Sequence, residues 1–447
     1  MKVLLVNPTK ERLFEQPSLG LLYIAAALRK AGHQVEYLEG SEESLSVQIS
    51  WRVKWKSLMP DVIGFTVMSP MFNDVADLVR MVKHECWRGS GKKQPVLIAG
   101  GAHATLMPET LLEAGVDYVI QGEGERAIVD LLSAKIIPGI KTIHYQPVEN
   151  LDKLEFPARD LLPKKYRKRH AASIVASRGC PYNCSFCQPT LRRMFGSRVR
   201  KRTVNSVIDE MISCGRTYGI QYFEFFDDTF TADKAWLHEF CETLFAWKTI
   251  QHIAAFPRWE CLTRVNAVDE EMLSEMELTG CRRITFGVES GSQEILDYYR
   301  KGITLAQIRE AFRLCKKVGI HTHALFMLGA PMETQETIRA TEDLIKEIKP
   351  DSIFISITTP LPFTDLWEDL MKSGNVTLDW SQINYYQKPA LKLLYMQPGE
   401  IVAARERILK GFYLRHPGFL LKFVRARGWS YTKTAFNNLF SKQEPGK

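Results

Sequence analysis

Twice along this chain, short runs rich in β-branched residues alternate with amphipathic helical stretches, and a segment crowded with proline and glycine separates the two series. That alternation is the mark of a parallel sheet wrapped by helices. In residues 1–135 the predicted strands are Lys2–Val6, Gln34–Leu38, Asp61–Thr66, Pro95–Ala99 and Asp117–Ile120, with helices at Leu19–Ala31 and Met71–Glu85. Together they make a doubly wound, Rossmann-like α/β domain. Pro138-Gly139, Pro147, Pro157 and Pro163, followed by the basic stretch Lys164–His170, place a linker over residues 136–171.

From residue 172 the alternation resumes, with strands expected at Ser173–Ala176, Gln221–Phe226, Ala254–Glu260, Arg282–Phe286, Thr322–Met327 and Ser352–Ile357. Six βα units suit a partial (β/α)6 barrel over residues 172–360, short of the eight of a closed barrel. Ligands then belong at the C-terminal ends of the strands. Residues 361–447 lose the pattern and read as a mainly helical tail that caps the barrel. A chain of 447 residues is longer than one core usually serves, which agrees with this division.

Composition narrows the class. Hydrophobic residues at 45% and charged residues at 25% are ordinary globular values, and the formal charge of +8 is spread over mixed signs, so no nucleic-acid partner is expected. No apolar run is long enough to cross a membrane, and the stretch Met1–Pro8 is too short for the core of a signal peptide. Nine cysteines are an odd number, and three of them crowd into eight residues, which argues for metal ligation in a reducing cytoplasm over a disulfide framework.

Those three are Cys180, Cys184 and Cys187, in a loop directly after a predicted strand. Thiolates suit iron–sulfur clusters and zinc alike, so the presence or absence of a fourth protein ligand decides. Cys214, Cys241, Cys281 and Cys315 stand singly in apolar patterns, where a cysteine behaves as a small buried hydrophobe. With three ligands, one iron of a cube stays open to chelate the amino and carboxylate groups of S-adenosylmethionine (SAM), which structural zinc cannot do.

The spacing, the aromatic Phe186 and the preceding strand resemble the radical SAM superfamily. That resemblance implies a [4Fe–4S] cluster on Cys180, Cys184 and Cys187, radical cleavage of SAM, and an external electron donor of the flavodoxin or ferredoxin type. It also implies SAM contacts at Phe186, at Asp227 and Asp228 after the second barrel strand, at Glu289 and Ser290 after the fourth, and at Met327 after the fifth. The family's glycine-rich fifth-strand motif starts with Gly where this chain has Ala324 or Leu325.

In the first domain, Ser69-Pro70-Met71, then 28 positions (72–99), then Gly100-Gly101 resemble the paired motifs of cobalamin-binding domains, and Gly122-Glu123 matches the same subgroup. A small hydroxyl and glycines without side chains let the nucleotide tail of cobalamin slide beside the sheet. The Asp-x-His-x-x-Gly element that supplies a cobalt ligand in many such proteins is absent, and neither His33 nor His103 has its context. The segment Pro157–Pro163 is similar to this subgroup's linker.

The combined resemblance, to cobalamin-dependent radical SAM enzymes of the methyltransferase type, implies methylation of an unactivated carbon or phosphorus centre through a 5′-deoxyadenosyl radical and methylcobalamin. Ring closure or rearrangement without methyl transfer is a second enzymatic reading, and a corrinoid carrier or sensor is a third. A tRNA-modifying methylthiotransferase needs three further N-terminal cysteines, and only Cys86 precedes the linker. Tyr385, Tyr386, Tyr395, Phe412 and Tyr413 are candidates to line a substrate pocket, with packing as the plainer reading. Residues 405–442 mix basic and aromatic side chains, Lys422, Arg425 and Arg427 among them, as a peripheral membrane contact serving a lipid-like substrate would. Docking of that segment on the barrel is the stronger alternative.

Overall fold

In the computed structural model, residues 1–8, 17–40, 57–87, 94–133, 139–167, 171–196, 198–250, 257–375 and 391–415 are described. The first series folds into six parallel strands, β1 (Lys2–Asn7), β2 (Gln34–Glu39), β3 (Val62–Thr66), β4 (Val96–Gly100), β5 (Tyr118–Gln121) and β6 (Thr142–His144), in the order β2-β1-β3-β4-β5-β6. Period-two alternation sends Val3 and Leu5 to one layer, against the helices Leu19–Lys30 and Gly124–Leu132, and Leu4 and Val6 to the other, against Phe72–Trp87. Both faces are therefore covered, which is why these strands read as continuous apolar runs. The order reverses between β1 and β3, and doubly wound sheets bind ligands beyond the strand ends at such a point.

The second series builds β7 (Ala171–Ile174), a short antiparallel pair β8 (Ser177–Arg178) and β9 (Arg200–Lys201), then β10 (Tyr222–Phe225), β11 (Arg258–Thr263), β12 (Cys281–Glu289), β13 (His321–Leu328) and β14 (Ser352–Ile357). Six of these pair in parallel in the order β14-β13-β12-β11-β10-β7, and among the described residues no pairing joins β14 to β7. The barrel is open. Trp259, Phe223 and Phe240 are fully buried in its wall, and burial of one phenylalanine such as Phe240 contributes about 1.5–3 kcal/mol. Its helices start where side chains satisfy free backbone donors: Thr203, Asp269, Thr304 and Thr334 each accept from the backbone three residues on.

The strands differ from the sequence reading at several points: the β8–β9 pair was not expected, and β12 runs to Glu289, three residues past the expected Phe286. β6 adds a sixth strand inside the stretch assigned to the linker; it is three residues long, too short for a periodicity to register. β7 begins at Ala171, ahead of the expected Ser173, and β11 begins at Arg258, after the expected Ala254, because residues of similar apolar character flank both strands. The rest of the linker is fastened down: Arg159, within the Pro157–Pro163 segment, donates to Ser173 O at 2.6 Å and pairs with Glu210 at 2.5 Å, both groups buried. Of the tail, the helices Asp365–Lys372 and Pro398–Leu414 are described; Phe412 is buried, Tyr413 donates to Ile353 O, and Tyr395 is exposed. Tyr385, Tyr386, Lys422, Arg425 and Arg427 lie outside the described residues. Among the described residues no helix is long and apolar enough to cross a membrane.

Candidate functional site

The first sheet and the ends of β7 and β10 in the barrel line one cavity of about 320 Å³, which Cys180, Cys184, Cys187, Phe186, Glu289 and Met327 do not reach. From the first domain its wall includes Gly64, Gly100, Gly101 and Gly122; from the barrel it includes Ser177 and Asp228. The glycines are there for space. Gly101 has φ +100, and a Cβ added to it would lie 3.0 Å from Val67 O and 3.2 Å from Thr66 Oγ1, so a side chain would be strained in conformation and crowded at once. Replacing Gly101 with Ala should destabilise the cofactor-free protein by about 1–3 kcal/mol. By contrast Gly20→Ala, in a helix with open space around it, should be neutral or gain up to about 1 kcal/mol. Thermal unfolding of the two variants side by side checks both signs.

Ser69 is placed differently from Gly101. It is buried in the turn after β3, with Oγ 3.1 Å from His103 Nδ1, while His103 Nε2 is 3.0 Å from Thr110 Oγ1. Burial holds His103 at a pKa of about 4, so it stays neutral and bonded on both nitrogens. His33 sits at the opposite end of the sheet, beside the N-terminus. Glu123 lines the cavity, but its carboxylate is taken: Arg200 Nη2 donates at 2.6 Å, Val148 N at 2.7 Å, and Arg178 Nη1 lies 3.1 Å away.

The cysteine loop hangs between β8 and β9. Gly179 opens it at φ +97, against Arg198 O, where a Cβ would have 3.0 Å. Ser185 is the loop's anchor: its N–H donates to Tyr299 O at 2.9 Å, and its carbonyl accepts from Leu366 N at 2.9 Å. Cys187 N donates to Cys184 O at 3.0 Å, and Asp365 N to Gln188 O at 2.9 Å. These backbone bonds shape the loop without any metal. Cys184 is buried, Cys180 and Cys187 partly so, and Cys180 Sγ lies 3.7 Å from Thr229 Oγ1. Burial first, then the negative charge of Asp228, Cys184 and Cys180, pushes the Cys187 thiol up to about 12. Three thiolates would coexist here only around a cationic centre. Among the described residues no group of three His, Cys, Asp or Glu side chains is placed to hold a single ion; Cys180, Cys184 and Cys187 are the residues that would hold a cluster.

Around the loop the strand ends divide into two kinds. Asp228, at the end of β10, faces the cavity with its pKa raised by burial. Asp227 turns away: fully buried, it accepts from Ser177 Oγ at 2.5 Å and Ala176 N at 3.1 Å, and burial lifts its pKa to about 6. It ties β10 to the start of the cysteine loop. Glu289 adopts φ 68, a strained position for a residue with a side chain, and is paired with Lys301 at 2.6 Å in a buried contact. Lys301 Nζ in turn lies 5.7 Å from the centre of the Phe186 ring, which meets Tyr299 edge-on at 5.4 Å. Met327 packs in the same cluster as Phe186. Ser290 points into the wall, accepting from Ser292 N and lying 3.4 Å from Thr341 Oγ1.

Sequence reasoning missed Arg264, one residue beyond β11. Its guanidinium donates to Cys184 Sγ at 3.2 Å and to Lys301 O, and stacks on Tyr182 at 3.8 Å. The signal available was its place: the end of β11, level with the strand ends that carry Asp228 and Glu289.

Comparison with known proteins agrees with this arrangement. Residues 174–345 match the radical SAM superfamily, and residues 9–132 match the B12 binding domain. The uncharacterized methyltransferase PH0819 of Pyrococcus horikoshii is 31% identical over 94% of this chain and 96% of its own length. The chain belongs to the cobalamin-dependent radical SAM enzymes. The anaerobic magnesium-protoporphyrin IX monomethyl ester cyclase of Cereibacter sphaeroides is 26% identical over 93% of this chain and 71% of its own. In fold, this enzyme is similar to the radical SAM methyltransferase TsrM of Kitasatospora setae, with a TM-score of 0.68 at 20% identity, over 90% of this chain and 82% of that one. The cofactors are those of its two matched parts: a [4Fe–4S] cluster and SAM with the barrel, and cobalamin with the N-terminal domain.

Proposed function

We propose that this enzyme methylates an unactivated carbon or phosphorus centre of a small molecule in the cavity between its two domains. The observation that carries the reading is the shared cavity itself, walled by Gly101 and Gly122 on one side and by Ser177 and Asp228 on the other. Residues of both domains thus line one space, in which a reactive substrate would meet its methyl donor before water. In this reading Cys180, Cys184 and Cys187 hold the cluster; Asp228, Phe186, Glu289 and Met327 border the SAM site; and Gly100, Gly101 and Gly122 border the corrinoid. Ser69, Asp227 and Ser290 act through the backbone and side chains that they tie down. Bound cluster and SAM supply hydrogen-atom abstraction, and cobalamin supplies the methyl group. An external flavodoxin- or ferredoxin-type protein delivers the electrons.

The kinship with PH0819, named as a methyltransferase, favours methyl transfer; the kinship with the cyclase defines the rival. Anaerobic reconstitution with trideuteromethyl-labelled SAM and hydroxocobalamin, followed by untargeted mass analysis of metabolites from the source cells, separates the two. Transfer adds one labelled methyl to a product. A product lighter by hydrogen and free of label identifies ring closure instead.

A further inference from the structure

Among the described residues five arginines in the inner parts of this molecule are nearly inaccessible to solvent or form buried ion pairs, and four of them are paired with carboxylates. Arg159 and Arg202 pair with Glu210, Arg200 with Glu123, and Arg178 with Glu123 and Glu125. Arg264, also buried, is different. Its Nε donates to Asn266 Oδ1 at 3.2 Å, Nη2 to Lys301 O, and Nη1 to Cys184 Sγ at 3.2 Å. A guanidinium cannot shed its proton, and an unpaired buried charge is costly. Its sole ionisable hydrogen-bond partner among the described residues is the sulfur of Cys184.

We propose that Arg264 is a positioning residue that pairs with the Cys184 thiolate and thereby sets the reduction potential of the cluster; this rests on the assignment of the cluster to Cys180, Cys184 and Cys187. The physical reason is charge. One-electron reduction adds a negative charge to the cluster and its thiolates, and a fixed cation bonded to one ligand sulfur stabilises the reduced form more than the oxidised form in a poorly solvated site. Tyr182 stacked at 3.8 Å on the guanidinium and the bond to Lys301 O hold the fork in place, so the cation keeps its position when the electron arrives.

The test uses the full chain, reconstituted anaerobically with iron and sulfide and titrated potentiometrically with dithionite in the absence of SAM. Iron content and the electron paramagnetic resonance signal of the reduced cluster are both read. Arg264→Gln should keep its four irons, while its ratio of reduced to oxidised cluster at the wild-type midpoint falls at least tenfold, a shift of about 59 mV or more to lower potential for one electron. Arg264→Lys, which keeps the charge and loses the fork, should shift by less than half as much. Four irons at an unchanged potential in Arg264→Gln overturn the inference. Failure of both variants to take up iron also overturns it, because Arg264 is then a brace for the loop alone. If wild-type protein takes up no four-iron cluster, the assignment of the cluster falls, and this inference falls with it.

Discussion

Replacing Cys180, Cys184 and Cys187 together with alanine will leave the anaerobically reconstituted protein without a four-iron cluster and without SAM cleavage, while the chain stays folded. The second half of that statement follows from the loop's own anchorage. Ser185 is fixed to Tyr299 O and Leu366 N, and Gln188 O to Asp365 N, by backbone bonds that no cysteine side chain makes. Removing the sulfurs therefore takes away ligands and leaves the path of the chain. Cys184 has one further role, accepting from Arg264, so its loss leaves that cation short of its partner. Arg264→Gln added to the triple variant should then recover part of any lost stability. Cys214→Ala and Cys315→Ala are the controls. Both thiols are buried in the barrel core, and each change should cost about 1 kcal/mol with full iron content retained. Iron analysis and the yield of 5′-deoxyadenosine decide the matter; four irons persisting in the triple variant would sink the assignment.

The cysteine loop was legible in sequence because its chemistry is local: three thiols within eight residues need no folding to be seen together. The two α/β architectures were also within reach, since most strands carry their own apolar run; the order β2-β1-β3-β4-β5-β6 was not read from the sequence. What escaped reading were features made by distant residues. β6 is anchored by its register with β5, Val119 opposite Thr142, and nothing within its three residues announces it. Arg264 and Cys184 are 80 positions apart, so an ordinary arginine at a strand end looks like any other. Asp227 and Asp228 are neighbours in sequence, yet the twist at the end of β10 sends one into the wall and the other to the cavity. Ser290 and Ser69 likewise sit where the motifs place them, with hydroxyls committed to Thr341 and His103. Motif matching locates a position; the direction of its side chain belongs to the fold.

Glu123 shows how far that distinction reaches, and its substitution should have the second large effect. The residue follows Gly122 at the end of β5, where resemblance points to the corrinoid, but its side chain crosses to the barrel. Its carboxylate takes Arg200 at 2.6 Å and Arg178 at 3.1 Å, while Arg178 also pairs with Glu125 at 2.5 Å. Side-chain exposures of 2% for Glu123 and 7% for Arg200 put the pair out of water. Two carboxylates balance two guanidinium groups, and the β8–β9 pair that carries the arginines also carries the cysteine loop between its strands. The same contacts that tie Glu123 of the first domain to the barrel therefore hold the base of the cysteine loop. Glu123→Gln preserves shape but leaves one positive charge unbalanced, and breaking a buried pair in this way costs about 3–5 kcal/mol. The unfolding midpoint should drop by about 3–5 °C, with earlier proteolysis between the domains and poorer retention of corrinoid on gel filtration. Arg200→Met should do similar harm alone. Combined, the two changes should harm less than their sum, by about 0.5–3 kcal/mol, because the second removes a charge the first had stranded. Strict additivity in that double-mutant cycle would mean that the two side chains do not act as a pair, and that some other contact seats the cobalamin domain on the barrel.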